Sequence, residues 1–265
     1  MEIQPIGYFR SPFAQKFGIP RQSGLVEQLE GEIVLVPEWR KAEALRGLED
    51  FDYVWIVWGF SENVEARKSA TVRPPLLGGN RRMGVFATRS PFRPNNLGLS
   101  SVRLSGIDYE AADGPVVKVL GADLMDGTPI YDLKPYLAYV DSHAEARGGF
   151  TDDHQWQKLK VEIPDEIGKN FTSAQLSALR KVLELDPRPH YHDDAEKVYA
   201  ISFYGKDIRF RVEGDRLEVI ESLPYTLLES TTPSPSFRRR GGSGLLFRIS
   251  IICNFFVTNS LEYTY

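Results

Sequence analysis

Between Ala66 and Ile107 the chain carries eight cations, Arg67, Lys68, Arg73, Arg81, Arg82, Arg89, Arg93 and Arg103, and no Asp or Glu. Seven of the eight are arginine, whose planar fork suits two-point contact with a phosphate or a carboxylate. Their setting is stiff. A short strand pattern, Met83 to Thr88, leads into a Pro/Asn/Arg loop, Arg89 to Asn96, and a second strand pattern follows from Leu97 to Leu104. A charge run is by default a solvated face. Arginine in place of lysine, the Pro and Gly residues, and the flanking strands set this one apart. A second chemical feature is the Met125-Asp126-Gly127-Thr128-Pro129 segment, where Asp-Gly followed by Pro is strong turn chemistry.

The rest of the composition is that of an ordinary globular chain: 265 residues, 42% hydrophobic, 26% charged, net charge −4. That balance argues against wrapping duplex nucleic acid over the whole surface, yet permits a local phosphate-binding patch. The single cysteine, Cys253, excludes a disulfide framework and a cysteine-based zinc site, and implies a cytoplasmic protein. No signal pattern opens the chain, and no run reaches the ~18 apolar residues of a membrane span.

The elements that must position these residues are mostly short strands. Ile3–Arg10, Gly31–Val36 and Phe51–Phe60 read as strands, the last the most apolar in the chain. Pro37–Leu48 carries helix signals, with Pro at the start and Trp39, Ala42, Ala44 and Leu45 at three- and four-residue spacing. Val102–Tyr109 and Val116–Leu124 read as further strands, and Ile130–Val140 as extended because Pro135 would break a helix. Six or seven strands with one helix and regular turns predict a β-barrel or curled sheet rather than alternating βαβ units. Residues 1–144 form this barrel domain and 145–157 a linker. Residues 158–224 form a small α+β domain with strand Lys158–Ile163, a helix Ala174–Leu185 capped at Thr172-Ser173, and strands Lys197–Tyr204, Ile208–Val212 and Leu217–Ile220. Phe203 to Asp207 reads as a hairpin corner. Residues 225–265 differ in character and read as a non-native or disordered extension, set aside from function. The fold class is therefore mainly β, a small non-Rossmann barrel plus an α+β domain.

The chain has no P-loop, HExxH, G-x-S-x-G or Rossmann glycine motif. His143, His154, His190 and His192 lack metal-ligand spacing with carboxylates, so no metal site is expected. Against these negatives stands one specific match. Gly84-Val85-Phe86-Ala87-Thr88-Arg89-Ser90-Pro91-Phe92-Arg93-Pro94-Asn95 resembles the signature of the TsaA-like family. Phe17 to Gln22, Arg46 to Glu49, Thr71 to Pro75, Gly78 to Asn80, Asp126 to Pro129, Lys134 to Tyr136 and Asp186 to Pro189 recur in the family's order, covering residues 1 to about 224. The resemblance implies an S-adenosylmethionine-dependent methyltransferase on a small barrel that dimerises. Its substrate would be N6-threonylcarbamoyladenosine at position 37 of a tRNA anticodon loop, methylated on N6.

By that resemblance the cofactor contacts are Pro20, Arg21, Gln22, Ser61, Glu62, Arg89, Leu99, Asp126, Gly127, Thr128 and Pro129, with Arg89 clamping the methionine carboxylate. Ser61-Glu62 stands where relatives carry His-Gln, a departure from the pattern. Asp126 or Asp132 is the candidate acceptor of the N6 proton, and Tyr136 the candidate stacking partner for a flipped base. Arg73, Arg81, Arg82, Arg93 and Lys134 are candidates for tRNA contact, and Lys206, Arg209 and Arg211 for the anticodon stem. Plainer roles stay open beside these: salt bridges within a dimer for Arg89 and Arg93, a tight turn for Asp126-Gly127, strand aromatics for Tyr136 and Tyr139. Trp55 and Trp58 read as core. Two other functions also remain, methylation of another RNA or small-molecule acceptor, and cofactor binding without turnover.

Overall fold

The computed structural model describes residues 2–63, 68–79, 81–153, 157–188 and 194–226. The expectations for Arg67, Asn80, His154, Pro189, His190, His192 and nearly all of 225–265 fall outside these residues. In chain order the first half holds β1 (Gly7–Arg10), β2 (Glu30–Leu35), α1 (Ala42–Leu45), β3 (Tyr53–Gly59), β4 (Thr71–Val72), β5 (Met83–Gly84), β6 (Leu97–Asp108), β7 (Val116–Leu120), β8 (Pro129–Pro135) and α2 (Ala138–Asp141). The second half holds β9 (Lys160–Glu162), α3 (Asp165–Gly168), α4 (Ser173–Glu184), β10 (Tyr199–Phe203), β11 (Lys206–Glu213) and β12 (Arg216–Pro224).

Six strands close into an antiparallel barrel in the order β1-β2-β7-β6-β3-β8. Alternation fills it: Val54, Ile56 and Trp58 of β3 point inward with Phe9, Ile33, Leu35, Val102, Val117, Val119 and Ile130, while Tyr53 and Trp55 face out. The interior is tight at the site end. A Cβ at Gly98 of β6 would collide with the Trp58 indole, so only glycine lets that ring lie across the strand.

Residues 160–224 add a four-stranded sheet, β10-β11-β12-β9, with β9 parallel to β12. Helix α4 packs Ala178, Leu179, Val182 and Leu183 into its core and starts with a capping box, Thr172 Oγ1 accepting from Gln175 N while the Gln175 side chain accepts from Thr172 N. The hairpin corner is the two-residue turn Tyr204-Gly205, both with left-handed φ (46° and 71°), as β-hairpin twist favours. Tyr204 also hydrogen-bonds Glu30, and burial pushes its phenol up to about 12.

Several elements depart from the sequence reading. The expected helix 37–48 shrinks to the four residues of α1 and a 3-10 turn at Leu48–Asp50, because only Leu45 is buried and Gly47 turns left-handed at φ 83°. The expected strand 83–88 ends after two residues, where Thr88 Oγ1 donates to the Val85 carbonyl (2.9 Å) and closes a 3-10 turn. The two strands expected at 97–104 and 102–109 are one, β6, bent at a bulge beside Gly106. Strand β7 stops at Leu120, where Gly121 turns left-handed, and β8 stops at Pro135 before α2.

The loop between β1 and β2 is the main surprise. Phe13, Val26 and Leu29 are buried in the core of the second half, not in the barrel. Phe13 meets the Phe203 ring edge-on at 5.6 Å, Pro12 O accepts from Tyr204 N, and Ser202 Oγ accepts from Ala14 N. Gly18, at φ 94°, packs where a Cβ would stand 2.5 Å from Ile201. Phe13→Ala is therefore expected to cost about 3–5 kcal/mol in urea unfolding, as for a large core truncation, although the residue sits on a barrel loop. Trp39→Ala, at an exposed position, should stay within about 0.5 kcal/mol.

Candidate functional site

The loop from Gly18 to Gly24 is held from two sides. Arg21 donates from Nη1 to the Leu185 carbonyl (2.8 Å) and from Nη2 to the Asp186 carbonyl (2.7 Å), bonding the carbonyls at the end of α4. On the barrel side, Gly24 N donates to Gly121 O and Gly121 N to Leu29 O, both at 2.8 Å. Pro20 is buried, and Gln22 is half-buried with its Oε1 accepting from Arg89 Nη1. Arg21, expected from the sequence to meet the cofactor, has its guanidinium bonded to these two carbonyls.

Below Gln22 lies a polar chain running into the barrel wall. Trp58 Nε1 donates to Ser100 Oγ (3.0 Å), and the Ser100 hydroxyl donates to Asp123 Oδ1 (2.6 Å). Asp123 is half-buried. Burial pushes that carboxyl above the usual range, and the Ser100 bond, Arg89 and the Ser23 amide pull partly the other way. The sequence reading missed Asp123, Ser100 and this role of Trp58. The available signal was a carboxylate inside the apolar run Val116–Leu124.

The Met125–Pro129 turn is latched to β1 and the loop after it. Asp126 N donates to Phe13 O (2.9 Å), Gly127 N to Phe9 O (2.8 Å) and Thr128 N to Met125 O (3.2 Å), while Asp126 Oδ1 accepts from Ser11 N (3.0 Å). The amides of this turn are thus spent on the fold. What it can offer a ligand are carbonyls and the second oxygen of Asp126, acceptors suited to an amino group.

Strand register places the remaining candidates on the outer face of β6-β3-β8. Leu99, 55% exposed, pairs with Val57, which pairs with Asp132. One step along are Ser101, Trp55 and Lys134, and then Arg103, Tyr53 and, by a backbone bond, Tyr136. Asp132 and Lys134 form an ion pair at 3.0 Å. Tyr136 packs against Trp55 and Tyr53 at 5.7 and 6.1 Å, and Trp55 Nε1 donates to Asp141 Oδ2 (2.9 Å). Four residues of strand, about 13 Å at ~3.3 Å each, separate Tyr136 from Asp132. Within one chain these two are not brought together. Ser61 and Glu62 form an exposed 3-10 turn at the end of β3.

Some cations are paired with carboxylates and others, in several parts of the fold, are not. Arg10, Lys118, Lys160, Arg209 and Arg216 each bind a carboxylate, so the outer face of β11 around Arg209 is neutralised by Asp207 and Glu221. Among the described residues, Lys68, Arg73, Arg81, Arg82, Arg89, Arg93 and Arg103 form no ion pair. Arg93 folds back on its own loop, donating to the Thr88 carbonyl (3.0 Å), and Arg82 donates to Thr71 Oγ1 (2.9 Å). Arg73 and Arg81 project into solvent.

Residues 8–142 match the family described as the tRNA-methyltransferase O N-terminal domain, and residues 156–224 the TrmO C-terminal domain. The tRNA (adenine(37)-N6)-methyltransferase of Escherichia coli K12 is 39% identical over 231 residues, spanning 84% of this chain and 98% of that one. A Pseudomonas aeruginosa protein, RcsF, with the provisional name S-adenosylmethionine-dependent methyltransferase, is 38% identical across 78% of this chain and 91% of its own. The crystal structure of TrmO from P. aeruginosa superposes with a TM-score of 0.66 at 31% identity, covering 84% of this chain and 98% of that one. These relatives and the closed antiparallel barrel make the protein a tRNA methyltransferase of the β-barrel class. The chain belongs to the TrmO family.

Arg21→Ala should lose about 1–3 kcal/mol of stability. Hydrogen exchange should speed up both in residues 18–24 and at the C-terminal turn of α4, whereas a solvent-facing arginine would move neither.

Proposed function

We propose that this protein methylates N6 of threonylcarbamoyladenosine at position 37 of a tRNA anticodon loop, using S-adenosylmethionine. The observation that carries the reading is the run of cations between residues 66 and 107 with no acid among them. Among the described residues the arginines of this run form no ion pair. Unpaired cations also occur elsewhere, but a polyanion that supplies its own countercharge gives a reason for so many close together in the chain.

The residues present fit the cofactor. Arg89, held by Gln22, offers a fork to its carboxylate; the Asp126–Pro129 carbonyls offer acceptors to its amino groups. When bound, S-adenosylmethionine supplies an electrophilic methyl group on a sulfonium, so the chemistry needs no enzyme nucleophile and no metal. The residues have three tasks: to exclude water, to align the N6 nitrogen with that carbon, and to accept the proton that N6 loses as the new C–N bond forms. Asp126 takes the proton in this reading, since Asp132 is engaged with Lys134. Arg73, Arg81 and Arg82 hold phosphates around the extruded base.

The outer face of β6-β3-β8 supports a homodimer. Tyr53, Leu99, Tyr139 and Val140 expose apolar surface there, Tyr139 at 85%. A two-fold axis normal to this face would turn its rows end for end, so that the β8 end carrying Tyr136 in one subunit would lie over the Leu99–Asp132 end of the other. The stacking residue then comes from one subunit and the cofactor contacts from the other. Among the described residues no helix is long and apolar enough to cross a membrane, and a tRNA substrate implies the cytoplasm.

Nucleoside mass spectrometry after incubation with cofactor and tRNA should show one added methyl on threonylcarbamoyladenosine. Arg81→Glu with Arg82→Glu should cut the rate at least about tenfold and flatten its salt dependence. Turnover without RNA, or binding without turnover, would replace this reading with a small-molecule methyltransferase or a cofactor sensor. Sedimentation should give a dimer for the wild type and a monomer for Tyr139→Glu; a monomeric wild type at full activity would remove the shared site.

A further inference from the structure

The least expected group in the fold is the Asp123 carboxyl. Among the described residues it forms no ion pair; one hydroxyl, that of Ser100 at 2.6 Å, is its direct side-chain partner. The charged group acting on it is Arg89; Ser100, the Ser23 amide and Trp58 behind Ser100 are neutral. A neutral asparagine could still accept from Ser100 through its one amide oxygen. The Ser100 bond therefore does not by itself require a negative charge, and a partly buried charge without a direct counterion costs stability.

Its position suggests what offsets that cost. Ser23 follows Gln22, Ser100 follows Leu99, Arg89 is itself a candidate contact, and Asp126 lies three residues further along the chain. Every stretch that touches Asp123 adjoins a residue assigned above to the methyl donor. That donor carries two positive groups, sulfonium and ammonium, against one carboxylate. With Arg89 matched to the carboxylate, a protein anion is needed to balance the surplus.

We propose that Asp123 is this counter-charge, a positioning carboxylate that steadies Arg89 and makes the pocket selective for the cationic sulfonium over its neutral thioether product. The inference rests on the cofactor site described under the proposed function. It also gives product release a physical basis, because losing the methyl group removes the charge that Asp123 attracts.

The test uses the full chain, with binding measured by calorimetry for S-adenosylmethionine and for S-adenosylhomocysteine. Asp123→Asn should weaken S-adenosylmethionine about tenfold or more and S-adenosylhomocysteine less than about threefold. Wild-type affinity should fall as pH drops through the raised pKa of Asp123, and the asparagine variant should be flatter there. Stability adds a sign. A carboxyl whose pKa is raised on folding favours the folded state most below its unfolded pKa, and that gain is lost as pH rises through the folded value. At neutral pH Asp123→Asn should therefore melt about 2 °C higher or more. Ser100→Ala, which keeps the charge, should keep the preference for the sulfonium. Equal weakening of both ligands, or a lower melting temperature at neutral pH, would make Asp123 merely structural and overturn the proposal. If Arg89→Ala weakens binding and Asp123→Asn does not, this inference alone fails. If neither variant changes binding, the cofactor site itself is misplaced.

Discussion

One loop has to satisfy two hydrophobic cores at once. Residues 11–29 leave barrel strand β1 and return to barrel strand β2, yet they bury Phe13, Val26 and Leu29 against β10 and α4. Pulling those side chains out would expose apolar area worth several kcal/mol, so the loop cannot move independently of the second half. Arg21 adds polar anchorage at the α4 end, and the Gly24–Gly121 bond anchors the same loop to the barrel. The stretch proposed to meet the cofactor is thus rigid because each half of the molecule grips it.

That grip explains how a short barrel can present a defined site. Its strands are too few and too short to enclose a ligand, and the inside is filled by Phe9, Val54, Ile56, Trp58 and Ile130. Binding groups must come from the rim and the outer face. The rim is built by turns whose amides are already spent, which leaves carbonyls, carboxylates and arginines to face outward. Such a surface offers charge and acceptors in place of the phosphate-cradling amides of α/β nucleotide sheets.

Charge is distributed by the same economy. Arg10, Lys118, Arg209 and Arg216 have carboxylates within reach on the neighbouring strand and pair with them. The stretch from Lys68 to Leu97 holds no acid, so its arginines bond to neutral oxygens or project into solvent. Only the positions that fold back are fixed by the structure. Arg93 stiffens its own loop, whereas Arg73 and Arg81 are available to a partner.

The barrel class, the hairpin corner at 203–207, the capped helix α4 and the cationic excursion could all be read from the residues, because each depends on local pattern: alternation, turn chemistry, a capping box, an absence of acids. What failed locally failed for tertiary reasons. Residues 37–48 have helical spacing but little to bury against, and residues 83–88 have a strand pattern but only Thr71-Val72 as a partner. No spacing rule links Asp123 to Ser100, 23 residues apart, or Arg21 to a carbonyl 164 residues away. Sequence alone determined which chemical groups the chain owns and the strands that carry them. Tertiary structure decided which of those groups are consumed by the fold and which are left to a ligand, since burial and hydrogen-bond competition are settled only when distant segments meet.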